Sequence, residues 1–181
     1  MTEKKKLKIL ACPSNHGGCA YYRILLPLQK LEEHYGDEVE IRWDDNPLGW
    51  KAATKEEAGH GTPEDFEYEN FKWADIVFTQ NIHNFGGQYT VELLRQGHQH
   101  GCFTHFDTDD LLTDLYEGHR LYDVYHQQKL GKVTEYIYNN VDLVSVTQKK
   151  FAERIAPYVK CALVVIKNSI DYKLPAWNAV K

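Results

Sequence analysis

Short apolar segments alternate along the chain with longer stretches of mixed character. Val39–Trp43 alternates apolar with polar residues, as a strand with one wetter face at or near a sheet edge does. The other segments lack clear alternation, which is typical of strands buried on both faces of a parallel sheet. Together they predict six strands: Lys8–Cys12, Val39–Trp43, Asp75–Thr79, Cys102–Phe106, Leu143–Thr147 and Ala162–Ile166.

The stretches between these segments place apolar residues at helical spacing. They predict four helices: Ala20–Tyr35, Gly87–Gln99, Gly118–Asn140 and Gln148–Ala156. Pro27 lies inside the first helix, so we expect either a kink there or a separate first turn. A short acidic helix is expected near Glu64–Lys72, at the end of a surface excursion rich in Gly, Pro and charge.

Strands that alternate with helices over the whole chain predict an α/β fold. We expect a doubly wound, mostly parallel six-stranded sheet with helices on both faces, which is a Rossmann-like arrangement. Residues 1–174 are expected to form a single domain, and residues 175–181 the start of a linker or tail.

Composition narrows the class of protein. The chain has 181 residues, 43% of them hydrophobic, and a formal net charge of −5, which argues against a nucleic-acid binder with a broad basic face. No segment approaches the roughly 18 apolar residues of a membrane span, and we expect a cytoplasmic protein. We expect the four cysteines, which lack zinc-ligand spacing, to be free thiols: Cys12, Cys19, Cys102 and Cys161.

Ligands of doubly wound sheets bind outside the carboxyl ends of the strands, so the residues that follow each strand are the candidates for chemistry. After the first strand, Gly17 and Gly18 could let a backbone approach an anion, and Arg23 could hold a phosphate or carboxylate. A turn that only reverses the chain and an arginine in a salt bridge explain the same residues. The glycines match neither the dinucleotide fingerprint nor a P-loop.

Polar residues also follow the third and fourth strands. Asn81 and His83 could hydrogen-bond sugar hydroxyls, although an ordinary polar loop explains them equally well. Asp107, Asp109 and Asp110 form a like-charge cluster that could raise one pKa and supply a general base. The alternative is that Asp109 or Asp110 caps the helix that follows, which would account for one of the three carboxylates. A divalent-metal site at Asp107-Thr108-Asp109 is the weaker alternative, and we expect no metal.

The ordered segments resemble the N-terminal, acceptor-side half of GT-B-fold glycosyltransferases of the retaining family 4. The tail carries the most specific similarity, because residues 141–147, 151–155 and 165–171 parallel "ADLVTVST…LAERL…VIPNGID". Trp73–Val77 resembles the family's strand entry, and Tyr21-Tyr22-Arg23 before Pro27 is similar to phage and bacterial members.

Two departures from that family pattern stand out. Ser169 replaces the usual glycine of the tail motif. Phe106-Asp107 stands where many members have a His-Asp pair, so no catalytic histidine carries over to this position. His105 lies one position early and would point to the opposite face of the strand.

The resemblance implies transfer of a sugar from a nucleotide-sugar co-substrate to an unknown acceptor, without a cofactor. It also implies a separate C-terminal donor domain that would begin just past Asp171. Asp107 or Asp109 is the expected catalytic residue. The expected substrate-binding residues are Gly17, Gly18, Tyr22, Arg23, Asn81, His83, Asp110 and Asn168.

The alternative is a stand-alone Rossmann-like module that binds a nucleotide, a sugar or a protein without catalysis. A tyrosine-rich region is its candidate partner surface, although such a stripe is also typical of partly buried packing. Its members are Tyr116, Tyr122, Tyr125, Tyr136 and Tyr138.

Overall fold

The strands form one parallel sheet. The structure is a computed structural model that describes residues 5–50, 68–111, 113, 115–119 and 121–168. The six strands lie in the order β2-β1-β3-β4-β5-β6. They are β1 Leu7–Cys12, β2 Val39–Trp43, β3 Ile76–Gln80, β4 Phe103–Thr108, β5 Leu143–Val146 and β6 Ala162–Val165. All six predicted strands and the α/β fold class are confirmed, and β2 is an edge strand, as its alternation predicts.

The second edge strand, β6, differs from the prediction. Its apolar run predicts burial on both faces, yet Val164 is 37% exposed and Val165 39%. The physical reason is position, because β6 is last in the sheet and, among the described residues, pairs with β5 alone. Leu163 is the β6 residue that packs into the core.

The helices follow the predicted order. They are α1 Gly18–Ala20, α2 Leu26–Tyr35, α3 Glu69–Trp73, α4 Gly87–Gln99, α5 Tyr122–Gln127, α6 Leu130–Asn140 and α7 Lys149–Ile155. A π-helical turn, Tyr21–Leu25, joins α1 to α2, and a 3₁₀ turn, Ala156–Tyr158, follows α7. Pro27 is the second residue of α2, which lies directly after the π turn, so the helical segment changes its winding next to the proline.

One predicted helix is divided in two. The pattern over residues 118–140 predicts a continuous helix, but α5 ends at Gln127 and α6 begins at Leu130. Lys129 between them has a left-handed backbone with φ of 52°. The acidic helix is observed over Glu69–Trp73; the predicted residues 64–67 lie outside the described residues, as does the tail from residue 169 to 181.

Helices cover both faces of the sheet, but unequally. On one face, α1, the π turn and α2 pack against β1 and β3 through Ala20, Ile24 and Leu28. On the other face, α3, α4, α6 and α7 pack over residues such as Val77 and Val144. The face under α1 also carries Gln80, Asp107 and Ser145, which lie side by side on β3, β4 and β5.

Three further predictions concern the tyrosine-rich region, the cysteines and the absence of a membrane span. The tyrosine-rich region is not one surface, because Tyr138 is fully buried while Tyr116 is 70% exposed. All four cysteines are free thiols, as predicted. Within the described ranges, no helix has the length and apolar character needed to cross a bilayer.

Candidate functional site

The direction of winding reverses between β1 and β3. β2 lies on one side of β1 and β3 on the other, so the loops that follow β1 and β3 meet at the carboxyl edge. The Ser14 hydroxyl donates to Oε1 of Gln80 at 2.9 Å, and the Asn84 amide donates to the Ser14 carbonyl at 3.3 Å. Nε2 of Gln80 is buried and finds no partner among the described residues. This reversal point is the expected place for a ligand.

The two glycines after β1 play different parts. The Gly17 amide donates to Oδ1 of Asn15 at 2.7 Å, and a Cβ at Gly17 would come within 2.9 Å of that oxygen. At Gly18 a Cβ would meet nothing within 4 Å. The loop itself therefore explains Gly17, while Gly18 borders open space. Tyr22 is half-buried, and its ring lies edge-on to Tyr21 at 5.2 Å.

Arg23 lies in the π turn and points into the protein. Its Nε donates to Oδ2 of Asp107 at 2.8 Å, and its Nη2 donates to Oδ1 of the same carboxylate. The side chains of Arg23 and Asp107 are only 2% and 1% exposed. Of the two explanations left open by the sequence, the salt bridge is the one the structure shows.

Asp107 is held from two sides. The Ser145 hydroxyl also donates to its Oδ1. Burial raises the pKa of Asp107, while hydrogen bonds from Arg23 and Ser145 oppose that shift. Because both carboxylate oxygens are engaged and shielded from solvent, this geometry favours a positioning role for Asp107 over contact with an acceptor.

His105 joins the same network. It shares a sheet face with Asp107, and its Nε2 lies 2.7 Å from the Ser145 hydroxyl. Burial lowers the pKa of His105 to about 4, so the ring is neutral. Because Ser145 gives its one hydroxyl proton to Asp107, Nε2 of His105 is the donor in its contact with the serine. The serine thus lies between histidine and aspartate, which differs from a nucleophilic triad, where histidine occupies the middle.

Asp109 directly follows the carboxyl end of β4, at the opening of the candidate site, and is half-buried. Nδ2 of Asn81 donates to its Oδ1 at 2.6 Å, and Asn81 adopts a left-handed backbone with φ of 54°. A hydrogen bond to Asp109 is the main reason why the pKa of the Cys19 thiol rises to about 11. Asn81, Asp109 and Cys19 therefore form one cluster, which we call the mouth cluster.

Asp110 lies close to α5. Burial is the main cause that raises the pKa of Tyr125, and the negative charge of Asp110 is the second cause. In the described part of the segment from 111 to 121, no helix begins directly after Asp110. The predicted helix cap is therefore not observed there.

His83 is packed into the protein. It is 4% exposed, its ring stacks on Phe85, and it lies 4.5 Å from the ring of Tyr89. Its Nδ1 accepts a hydrogen bond of 3.3 Å from the Phe85 amide. Burial lowers the pKa of His83 to about 4, so the ring is neutral at pH 7. Asn168, by contrast, lies past β6, where its Oδ1 accepts from Nη1 of Arg23 at 3.0 Å.

A cavity of about 450 Å³ opens between the segment after β4 and the corner made by α5 and α6. Gly87 at the start of α4 contacts Leu130 and Val133 of α6, which places this corner at the carboxyl edge. The volume suits a small molecule. The lining residues are Thr113, Leu115, Tyr125, His126, Lys129, Gly131, Lys132 and Glu135.

The sequence does not reveal this cavity, because the helical pattern continues through Lys129 without a Gly or Pro at the break. Gly131, just inside α6, is the one local hint. Metal binding finds no support in the described ranges either, since no three His, Cys, Asp or Glu side chains converge there.

Comparisons with known proteins give distant similarity. No protein-family model matches the sequence, and no curated protein matches it. Among solved structures, the chain is similar to fructokinase from Xylella fastidiosa, with 13% identity and a TM-score of 0.35 over 83% of this chain and 49% of that one. A structure of fructokinase with bound ATP from Xylella fastidiosa has 15% identity and a TM-score of 0.33, over 81% of this chain and 47% of that one. The chain spans about half the length of these proteins, and the similarity is too distant to assign a function.

Proposed function

We propose that this chain is the acceptor-binding part of a glycosyltransferase, which holds a sugar-bearing acceptor while a separate domain supplies the nucleotide-sugar. The observation that carries the proposal is the carboxyl edge, where the mouth cluster lies at the reversal of winding and a cavity of about 450 Å³ opens. Carboxylate, amide, phenol and ammonium groups are partners for sugar hydroxyls. The family-like tail motif supports the same assignment.

The charges beside Asp109 support a neutral acceptor over a phosphate at that residue, whereas the cavity lining carries two lysines, Lys129 and Lys132, and one carboxylate, Glu135. The donors of Arg23 are engaged by Asp107, Ile166 and Asn168. At the cavity, Lys132 pairs with Glu135 at 3.0 Å. The carboxylate of Asp109 adds negative charge, which repels a phosphate.

Asp109 is our candidate for the residue that faces the acceptor hydroxyl. It lies at the mouth, and Asn81 fixes its orientation. Such a carboxylate can accept a hydrogen bond from the acceptor and take up its proton during transfer. Asp107 acts in this scheme as a positioning residue, through Arg23.

Sugar transfer by the natural polypeptide tests the proposal. The assay follows radiolabelled sugar from a panel of nucleotide-sugars, with Asp109→Asn beside Asp37→Asn, which alters an exposed carboxylate in the turn after α2. Asp109→Asn should lower the rate by roughly 100-fold or more, since proton transfer contributes that much. Asp37→Asn should leave it unchanged.

The outcomes separate the role of Asp109 from the function itself. If Asp109→Asn stays folded and keeps the full rate, the role of Asp109 is wrong. If the natural polypeptide transfers no sugar at all but binds oligosaccharides in a nuclear magnetic resonance titration, the non-catalytic binding module replaces the transferase.

A further inference from the structure

The guanidinium of Arg23 reaches the chain that leaves the last strand. Its Nη1 donates to the carbonyl of Ile166, 143 residues away in sequence, and to Oδ1 of Asn168 at 3.0 Å. Its other donors hold Asp107 on β4. One side chain from the first helical segment therefore connects the middle of the sheet to the exit of β6.

The exit of β6 has little other support in the described structure. β6 is an edge strand that pairs with β5, and Ile166 is 45% exposed. The Ile166 amide donates to the Val146 carbonyl at 2.8 Å, just past the end of the strand pair. An edge with so little burial frays easily unless another contact holds it.

The rest of the network fixes the direction of the guanidinium. A π turn is wider than an α turn, and this one directs Arg23 inward from a helix whose neighbouring Tyr21 and Tyr22 are half-buried. The two-point contact with Asp107 sets the plane of the guanidinium, and Ser145 in turn holds Asp107. In this orientation Nη1 points at Ile166.

We infer that Arg23 is a latch that holds the chain leaving β6 against the carboxyl edge of the sheet. Asp107 and Ser145 orient the guanidinium of Arg23. The groups that it holds are the Ile166 carbonyl and the Asn168 side chain. The inference is independent of the proposed function, since it requires no ligand and no second domain. It assigns the buried ion pair a conformational task in addition to its part in the core.

Amide hydrogen exchange measured by nuclear magnetic resonance tests the latch in the 181-residue chain. Asn168→Ala removes one held group and leaves the Arg23–Asp107 pair in place. Arg23→Lys keeps the charge but loses the forked geometry. The Ile166 amide should exchange faster in both variants, because opening of the strand end is less opposed by hydrogen bonds from a charged group. We expect about tenfold in Arg23→Lys, which loses the geometry for both held groups, and a smaller increase in Asn168→Ala, which keeps the bond from Nη1 to the Ile166 carbonyl.

Two references make the result specific. Lys167→Ala changes an exposed residue in the same segment and should leave the Ile166 amide unchanged. The Asp44 amide, which donates to the Ala11 carbonyl just past the end of the opposite edge strand, is a matched reference for general loosening of strand ends. If Arg23→Lys does not fold, Asn168→Ala decides alone. Unchanged exchange at Ile166, or equal acceleration at Ile166 and Asp44, overturns the inference.

Discussion

The hydroxyl of Ser14 and the amide of Gln80 are joined by a buried hydrogen bond of 2.9 Å, and their side chains lie where the winding of the sheet reverses. The bond links the loop after β1 to the last residue of β3. Gln80 is fully buried, so its Oε1 depends on this donor. The position of the whole first loop thus rests partly on one polar pair.

Ser14→Ala should therefore destabilise the protein by about 1–3 kcal/mol, because a buried acceptor loses its donor. Urea unfolding followed by circular dichroism measures the change. In the double variant Ser14→Ala/Gln80→Leu both partners are gone, and the loss should be smaller than the sum of the two single losses. Additive losses would show that the two side chains are not coupled.

Stability should fall as the pH drops from 7 to 5. Burial lowers the pKa of His83 and of His105 from 6.5 to about 4, so both rings stay neutral in the fold while the unfolded chain takes up protons. Stability is therefore complete above about pH 6.5 and declines towards pH 4, by up to about 1.4 kcal/mol per pH unit for each ring.

His83→Gln isolates one of these rings. Its free energy of unfolding should depend less steeply on pH between 7 and 5 than that of the wild type. Asp75, Glu92 and Asp142 have lowered pKa values, so their contributions are lost at pH values below this range. The pKa of Asp107 is raised by burial and acts in the opposite sense, but it is present in both proteins and cancels when their slopes are compared. Equal slopes for the two proteins would refute the assignment.

The thiol of Cys19 reports on the mouth cluster. Its pKa of about 11 owes most to the hydrogen bond with Asp109, so alkylation at neutral pH should be slow. Asp109→Asn should bring the pKa back towards 9 and speed alkylation by iodoacetamide at pH 8 by roughly tenfold or somewhat less, since a less basic thiolate is also a weaker nucleophile. Peptide mass spectrometry measures the rate, with Cys161 as internal reference.

Two glycine variants should behave in opposite ways. A Cβ on Gly87 would lie 2.8 Å from Cγ1 of Val133, so Gly87→Ala should push α6 away from α4 and cost about 1–3 kcal/mol. Gly18→Ala meets open space and should change stability by less than about 1 kcal/mol. Thermal unfolding of both variants measures these changes. A loss of several kcal/mol for Gly18→Ala would contradict the open space beside Gly18.

Local pattern predicts the strands of this protein well, because each strand concentrates apolar residues over a few positions. The same signal fails at β6, since an apolar run does not reveal whether a strand has a neighbour on both sides. The break at Lys129 is also hidden, because the backbone turns left-handed without a Gly or Pro. Tertiary packing decides both features.

The location of the candidate site can be predicted from the ends of the strands, but the hydrogen bonds and ion pairs that join its residues cannot. Arg23, Asn81 and Asp109 all lie at the carboxyl edge, as the order of strands predicts. The pairing of Arg23 with Asp107 spans 84 residues and depends on the π turn, which no local pattern announces. The cavity beside α6 is likewise a product of how two helices meet.

The residues that flank the edge strand β6 also affect self-association of the protein through strand pairing. Within the part of the chain that the structure describes, β6 pairs on one side, and such an edge with Val164 and Val165 exposed is a template for another strand. Lys160 and Lys167 flank it at equal distance from its centre, and both are exposed. Antiparallel pairing of two copies about the midpoint between Leu163 and Val164 would bring each Lys160 opposite a Lys167, so charge repulsion opposes the register that best matches the apolar residues.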